Sequence, residues 1–126
     1  PMSLTADAQH SATFSWIPRQ EDFDVFADLS GDDNPIHVDP EFSARTRFGR
    51  TVSHGMLLYT RVFARLEARH PGRSHAVQTL MFPNPAFVGE RLHLTVRETQ
   101  AGRLELRAVR AEDGAEVLLG ETEIAA

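Results

Sequence analysis

His54-Gly55-Met56-Leu57-Leu58-Tyr59-Thr60-Arg61-Val62-Phe63-Ala64-Arg65-Leu66-Glu67-Ala68-Arg69-His70 is the longest periodic stretch of the chain. Met56, Tyr59, Phe63 and Leu66 recur at helical spacing, and Leu58 and Val62 widen that stripe. Thr60, Arg61, Ala64, Arg65, Glu67 and Arg69 fill the other side. About 17 residues rising 1.5 Å each predict a helix of roughly 25 Å, enough to cross a small domain. His70-Pro71-Gly72 ends it, because proline cannot continue a helix and glycine accepts the turn that follows.

Downstream of that helix the period changes. Residues 75–82, 91–99, 103–111 and 116–124 are rich in Val, Leu and Thr, and Asn84-Pro85, Ala101-Gly102 and Asp113-Gly114 divide them. Leu92, Leu94 and Val96 alternate with His93, Thr95 and Arg97, while Leu104, Leu106 and Ala108 alternate with Glu105, Arg107 and Val109. One face is wet and one is dry, as in an antiparallel sheet covered on one side. Asp113-Gly114 suits a tight hairpin. Upstream, Ala12-Thr13-Phe14-Ser15-Trp16-Ile17 alternates until Pro18 stops it, which predicts a short strand. Residues 20–29 place Phe23, Phe26, Ala27 and Leu29 at helical spacing, with Glu21, Asp22 and Asp24 in the first turn. Residues 36–53 contain Pro40 and Gly49 and keep no clean period, so an irregular or briefly helical excursion is expected. The order of elements predicts an α+β domain with the long helix lying across the sheet.

A chain of 126 residues suits one domain spanning 1–126, with residues 1–11 expected to be flexible. No apolar run approaches ~18 residues, so no membrane span is expected. The absence of cysteine excludes disulfides, thiolate–zinc sites, iron–sulfur clusters and cysteine nucleophiles. The first seven residues have neither a basic start nor an apolar core, so no signal peptide is read and a cytoplasmic location is expected. Pro1 ahead of Met2 reads as a cloning remnant.

The net charge of −5 is unevenly spread. Residues 1–41 carry nine acids against Arg19 alone, whereas residues 42–73 carry seven arginines against Glu67 alone. Such a basic stretch is either a solvated helix face or a site for an anionic group such as phosphate, whose oxygens suit Arg forks. Nucleic acid is not an expected partner, since the chain is acidic overall and the arginines lack interleaved aromatics.

Between the two helices lies Ser30-Gly31-Asp32-Asp33-Asn34-Pro35-Ile36-His37. Gly, Asp, Asn and Pro are turn formers, and a histidine can follow a turn by accident. Chemically, an Asp and a His projecting from one rigid turn form an acid/base pair. Proline fixes φ between them, and Asn34 can hydrogen-bond back to the turn.

Gly31-Asp32-Asp33-Asn34-Pro35-Ile36-His37 resembles the G-D-x-N-P-[ILV]-H signature of the MaoC-like (R)-specific enoyl-CoA hydratases, also called hydratase 2. Further blocks agree in order: Val38-Asp39-Pro40 with Phe42 and Ala44, then Val52-Ser53-His54-Gly55-Met56-Leu57, then Phe82, Pro85, Gly89 and Glu90. The likeness covers roughly residues 12–123. It implies a single hotdog domain, in which a five-stranded antiparallel sheet wraps a long central helix and two copies pair as a homodimer. By position, Asp32 and His37 would be the catalytic pair and Asn34 would organise the loop. Gly55 would offer its backbone N–H to the thioester oxygen, a role that suits the free N–H groups of a helix N-terminus.

Two positions depart from the family pattern. Tyr59 and Phe63 stand where smaller side chains are common, so both are expected to line and shorten the substrate pocket. His54 is expected to contact the helix N-terminus or to wall the site. His70, His75 and His93 are expected at the surface or at strand ends, and no pair of histidines has zinc spacing, so no metal is expected. Arg45, Arg47 or Arg50 would meet the phosphates of CoA.

The resemblance therefore implies reversible hydration of trans-2-enoyl-CoA to (3R)-3-hydroxyacyl-CoA, with no cofactor and with an acyl-CoA thioester as the molecule bound. The residues leave open which of Asp32 and His37 is base and which acid, while the family pattern favours Asp32 as base. Two other functions are compatible with such a domain. A hotdog thioesterase usually wants an acid early on the central helix, where positions 55–66 hold none. A non-catalytic acyl-CoA or partner-binding subunit has no need of an intact Asp–His pair.

Overall fold

The computed structural model describes residues 11–125. Its elements are β1 (Ser11–Trp16), α1 (Gln20–Ser30), α2 (Pro35–Val38), α3 (Pro40–Ala44), α4 (Gly55–Arg69), β2 (His75–Met81), β3 (Leu92–Gln100), β4 (Arg103–Arg110) and β5 (Glu116–Ile124). The flexible stretch expected at 1–11 lies outside the described residues except for Ser11, which opens β1 and pairs with Arg97. The excursion expected over 36–53 contains two short helices, and both start with the same device. Asn34 and Asp39 each accept a backbone N–H two or three residues on, and each is followed by a proline in the first helical turn.

The five strands form one sheet in the order β1-β3-β4-β5-β2, and every neighbouring pair is antiparallel. The β4–β5 connection is longer than a two-residue turn. Gly114 takes φ 71° within it, and Arg110 clamps the carboxylate of Asp113 through two bonds of 3.1 and 3.0 Å. Leu92, Leu94, Val96, Leu104, Leu106, Ala108, Val117, Leu118 and Ile124 face inward and bury against α4.

The face of α4 that meets them differs from the expected stripe. Leu58, Val62 and Leu66 form its centre line, spaced four residues apart and fully buried. At 100° per residue Met56 lies about 160° around the helix from Leu58, and Phe63 sits on a flank. Met56 is accordingly 50% exposed and Phe63 37% exposed, so neither belongs to the core. Tyr59 is half-buried and packs beside that core. Each of the three central side chains contributes roughly 1.5–3 kcal/mol through burial.

The flank of α4 next to Leu58 is not simply solvated. Arg61 lies over the Trp16 ring at 4.5 Å and pairs with Asp22 at 3.6 Å, while Arg65 lies over Phe14 at 4.4 Å. These arginines cover the aromatics of β1 with their stems and guanidinium planes. Among the described residues, no helix is long and apolar enough to cross a membrane.

Candidate active site

α1 ends where Gly31 takes φ 81° and returns its N–H to Ala27 at 2.8 Å. That left-handed step turns the chain back toward α4, a conformation glycine adopts without strain. Asp32 follows, with its backbone N–H on Ser30 Oγ at 3.1 Å and its Oδ1 accepting from the N–H of Asn34 at 3.4 Å. Asn34 Oδ1 in turn accepts from the N–H of Ile36 at 3.1 Å, which starts α2 and sets His37 one turn in. The loop-organising part expected of Asn34 thus has a geometry: its side chain closes the turn between the two titratable groups.

Asp32 Oδ2 and His37 Nε2 stand 3.8 Å apart, with the Asp side chain 55% exposed and the His side chain 14% exposed. The separation is too long for a direct hydrogen bond and short enough for one water to touch both atoms. His37 Nδ1 donates to the Val52 carbonyl at 2.8 Å. A carbonyl only accepts, so Nδ1 carries the fixed proton and Nε2 is the nitrogen that gains or loses one.

Two residues that the sequence reading passed over hold this arrangement. Gln20 donates from Nε2 to the His37 carbonyl at 2.8 Å and accepts at Oε1 from the buried Thr51 hydroxyl at 2.6 Å. Buried Ser43 adds a bond from Oγ to the Ile36 carbonyl at 3.2 Å. Nothing in the local pattern distinguishes Gln20 from its polar neighbours; its partners come from tertiary structure.

His54 is expected either to contact the helix N-terminus or to wall the site. It is the residue before α4, it is 2% exposed, and its ring stacks on His37 with centroids 3.9 Å apart. Its Nε2 donates to the Asp32 carbonyl at 2.8 Å. Burial lowers its pKa below 6.5, with the nearby His37 acting the same way, while the bond to the Asp32 backbone and the Asp32 charge oppose the shift. A histidine that resists protonation when folded favours the native state fully above pH 6.5 and progressively less below it. Thermal melts from pH 7 to pH 5 should therefore show a falling midpoint, and His54→Phe should flatten that fall. An equal fall in the variant would assign the acid sensitivity to other groups.

Asp32, His37 and His54 each present a ligand-type atom within 4.8 Å of the others. Two ring nitrogens of this group are already engaged, because His37 Nδ1 and His54 Nε2 donate to backbone carbonyls.

Gly55 opens α4, and the side chain of His54 does not cap that helix. The first backbone N–H groups of a helix have no intrahelical acceptor. A Cβ on Gly55 would stand 2.9 Å from the Phe82 ring, so only glycine fits beneath it. One turn on, the Tyr59 hydroxyl donates to Gln78 Oε1 at 3.2 Å, and Thr122 donates to the same oxygen. Phe63 leans on Tyr59 at 5.9 Å and on His75 at 5.3 Å. Arg50 is already paired with Glu90 at 3.0 Å and lies over Phe87, while Arg45 and Arg47 are exposed beyond α3.

A family model described as MaoC like domain matches residues 3–117. An (R)-specific enoyl-CoA hydratase of Aeromonas caviae is 42% identical over 77 residues, which are 60% of this chain and 58% of that protein. A 3-hydroxybutyryl-CoA dehydratase of Methylorubrum extorquens is 38% identical over 73 residues, 56% of this chain and 46% of that one. The solved R-hydratase of Pseudomonas aeruginosa superposes with a TM-score of 0.82 at 31% identity, covering 92% of this chain and 79% of that one. The chain spans about half the length of the curated relatives it matches. With a hotdog architecture shared with that R-hydratase and a family match over nearly its whole length, this chain belongs to the MaoC like domain family.

Proposed function

We propose that this protein catalyses the reversible addition of water to a trans-2-enoyl-CoA, giving the (3R)-3-hydroxyacyl-CoA. The observation that carries this reading is the 3.8 Å separation of Asp32 Oδ2 and His37 Nε2, close enough for the one water that the reaction consumes to contact both atoms. In the proposed course the Asp32 carboxylate takes a proton from that water as its oxygen bonds to C3. The C2–C3 π pair shifts to C1–C2 and the carbonyl π pair onto the thioester oxygen, where the N–H of Gly55 at the N-terminus of α4 stabilises the enolate. C2 then takes a proton from the protonated Nε2 of His37, and the enolate pair returns to form the carbonyl. Passing the proton from Asp32 back to His37 Nε2 restores both groups.

Purified protein should remove the enoyl-thioester absorbance of crotonyl-CoA without releasing thiol. A dehydrogenase specific for (3S)-hydroxyacyl-CoA should draw no NADH from the product. Release of thiol would point instead to a thioesterase, neither absorbance loss nor thiol release to a binding subunit, and a robust NADH signal to the opposite stereochemistry.

The substrate's size follows from Tyr59. Its ring is pinned by Gln78 and backed by Phe63, beside the core and one turn from Gly55. In this reading it limits the substrate to short acyl groups of about four to six carbons, each further methylene forgoing ~0.8 kcal/mol of burial. Tyr59→Ala should raise the kcat/KM ratio of eight-carbon to four-carbon enoyl-CoA by about tenfold or more. A wild type that already prefers the longer ester would remove Tyr59 from this role. Arg45 and Arg47 are exposed and would meet the CoA phosphates, with Arg50 contributing only if it leaves Glu90.

The proposed assembly is a homodimer. β2 is an outer strand of the sheet, and Val77 and Met81 on it and Phe82 just after it are exposed apolar side chains. An unpaired apolar edge of this kind is a template for a second strand. Light scattering at micromolar concentration should give a mass of about 28 kDa, twice the 14.1 kDa of one chain. A mass near that of one chain would overturn the dimer.

A further inference from the structure

His54 is the buried titratable group that the proposed reaction leaves unused, and its surroundings do not explain why an imidazole stands there. Its ring packs on Phe26 at 4.8 Å and edge-on to Phe23 at 6.4 Å, besides its stack on His37. Because Nε2 donates to a carbonyl, the neutral ring keeps its lone pair on Nδ1, and Nδ1 is buried without a hydrogen-bond partner. Burying such a lone pair is unfavourable, so packing alone would be better served by an apolar aromatic ring. What the imidazole adds is the Nε2–H bond to the backbone of Asp32.

That bond spans three parts of the site. It joins the exposed loop carrying Asp32 to the residue preceding Gly55, and the ring that makes it is the surface on which His37 rests. We propose that His54 is a positioning residue, whose Nε2–H fixes the Asp32 backbone and whose face supports His37, so that the gap between the two reacting groups keeps its width. This rests on the reading of Asp32 and His37 as the hydration centre. Its neutral state is consistent with burial, and it leaves His37 free to hold the positive charge that protonation of C2 requires. Displacing a reacting group by about 1 Å can slow a reaction by about a hundredfold.

Three variants separate the bond from the packing. His54→Phe keeps the stack and removes the donor; His54→Gln can reach the Asp32 carbonyl with its amide; His54→Asn carries its amide too close to the main chain to do so. With crotonyl-CoA, His54→Phe should lower kcat at least about tenfold with KM within about threefold, at a thermal midpoint no lower than that of the wild type. His54→Gln should recover at least about fivefold of that loss, and His54→Asn should not. Hydrogen exchange supplies a second readout: the amides of Asp32, Asp33, Asn34 and Ile36 should exchange faster in the Phe and Asn variants than in the wild type and the Gln variant. Should the Phe variant fail to fold, the Gln and Asn variants still decide by both readouts. A His54→Phe kcat within about threefold of wild type, a Gln variant no better than Asn, or equal exchange in all four proteins would overturn the proposal. A wild type without hydratase activity would instead reject the assigned reaction, and the exchange order would still test the positioning.

Discussion

Asp32→Asn should lower kcat for crotonyl-CoA hydration by about 10²–10⁴, the scale on which a positioned acid or base contributes. The substitution removes the charge at Oδ2, 3.8 Å from His37 Nε2, and with it the acceptor for the water's proton. The turn should survive, because an amide oxygen can still accept from the N–H of Asn34 as Oδ1 does now at 3.4 Å. The side chain is more than half exposed, so the variant loses no core packing and should melt as the wild type does. Retention of more than about a third of wild-type kcat would take Asp32 out of the chemistry.

The second large effect is expected at Gly55. Adding one methyl group there brings Cβ to 2.9 Å from two atoms of the Phe82 ring and 3.0 Å from a third, the one nearest its backbone, so the whole ring must move or the helix start must shift. A shift of the helix start moves the N–H proposed to receive the enolate oxygen. Gly55→Ala should therefore cost about tenfold to 10² in kcat/KM, somewhat less than removing an oxyanion donor outright. Phe82→Ala in the same chain makes room for the methyl group and should return most of the loss, a coupling that a double-mutant cycle reads directly. If the double variant is no faster than Gly55→Ala alone, the contact with Phe82 is not what keeps this position glycine.

Much of this was legible in the sequence, and the reasons differ between elements. The strands over residues 92–110 alternate cleanly because one face meets α4 and the other meets water, so their period survives as a pattern. The turn at Asp32–His37 was legible because Asn34 and Pro35 act locally, each on a neighbour within a few residues. The inward face of α4 was less so. Met56, Phe63 and Leu66 satisfy a helical period as well as Leu58, Val62 and Leu66 do, and only the sheet decides between them. Gln20 was invisible for a different reason: the carbonyl it holds is 17 residues away and the hydroxyl that holds it is 31 away. His54 stood between these cases, since its place before the helix was readable but its stacking on His37 is a product of two separate elements meeting.

The sheet order has a consequence for how the chain is made. Four of the five strands follow α4 in sequence, and β1 pairs only with β3, so Thr13 must find Thr95 across 82 residues. On a ribosome, Leu58, Val62 and Leu66 emerge before almost any surface that can cover them. The last strand leaves about sixty residues later, which at about 5–20 residues per second is several seconds. Through that interval the helix is an amphipathic segment whose cover is incomplete, and pairing between distant strands is itself slow. Newly made chains should thus be most open to aggregation or chaperone capture between completion of α4 and arrival of β5.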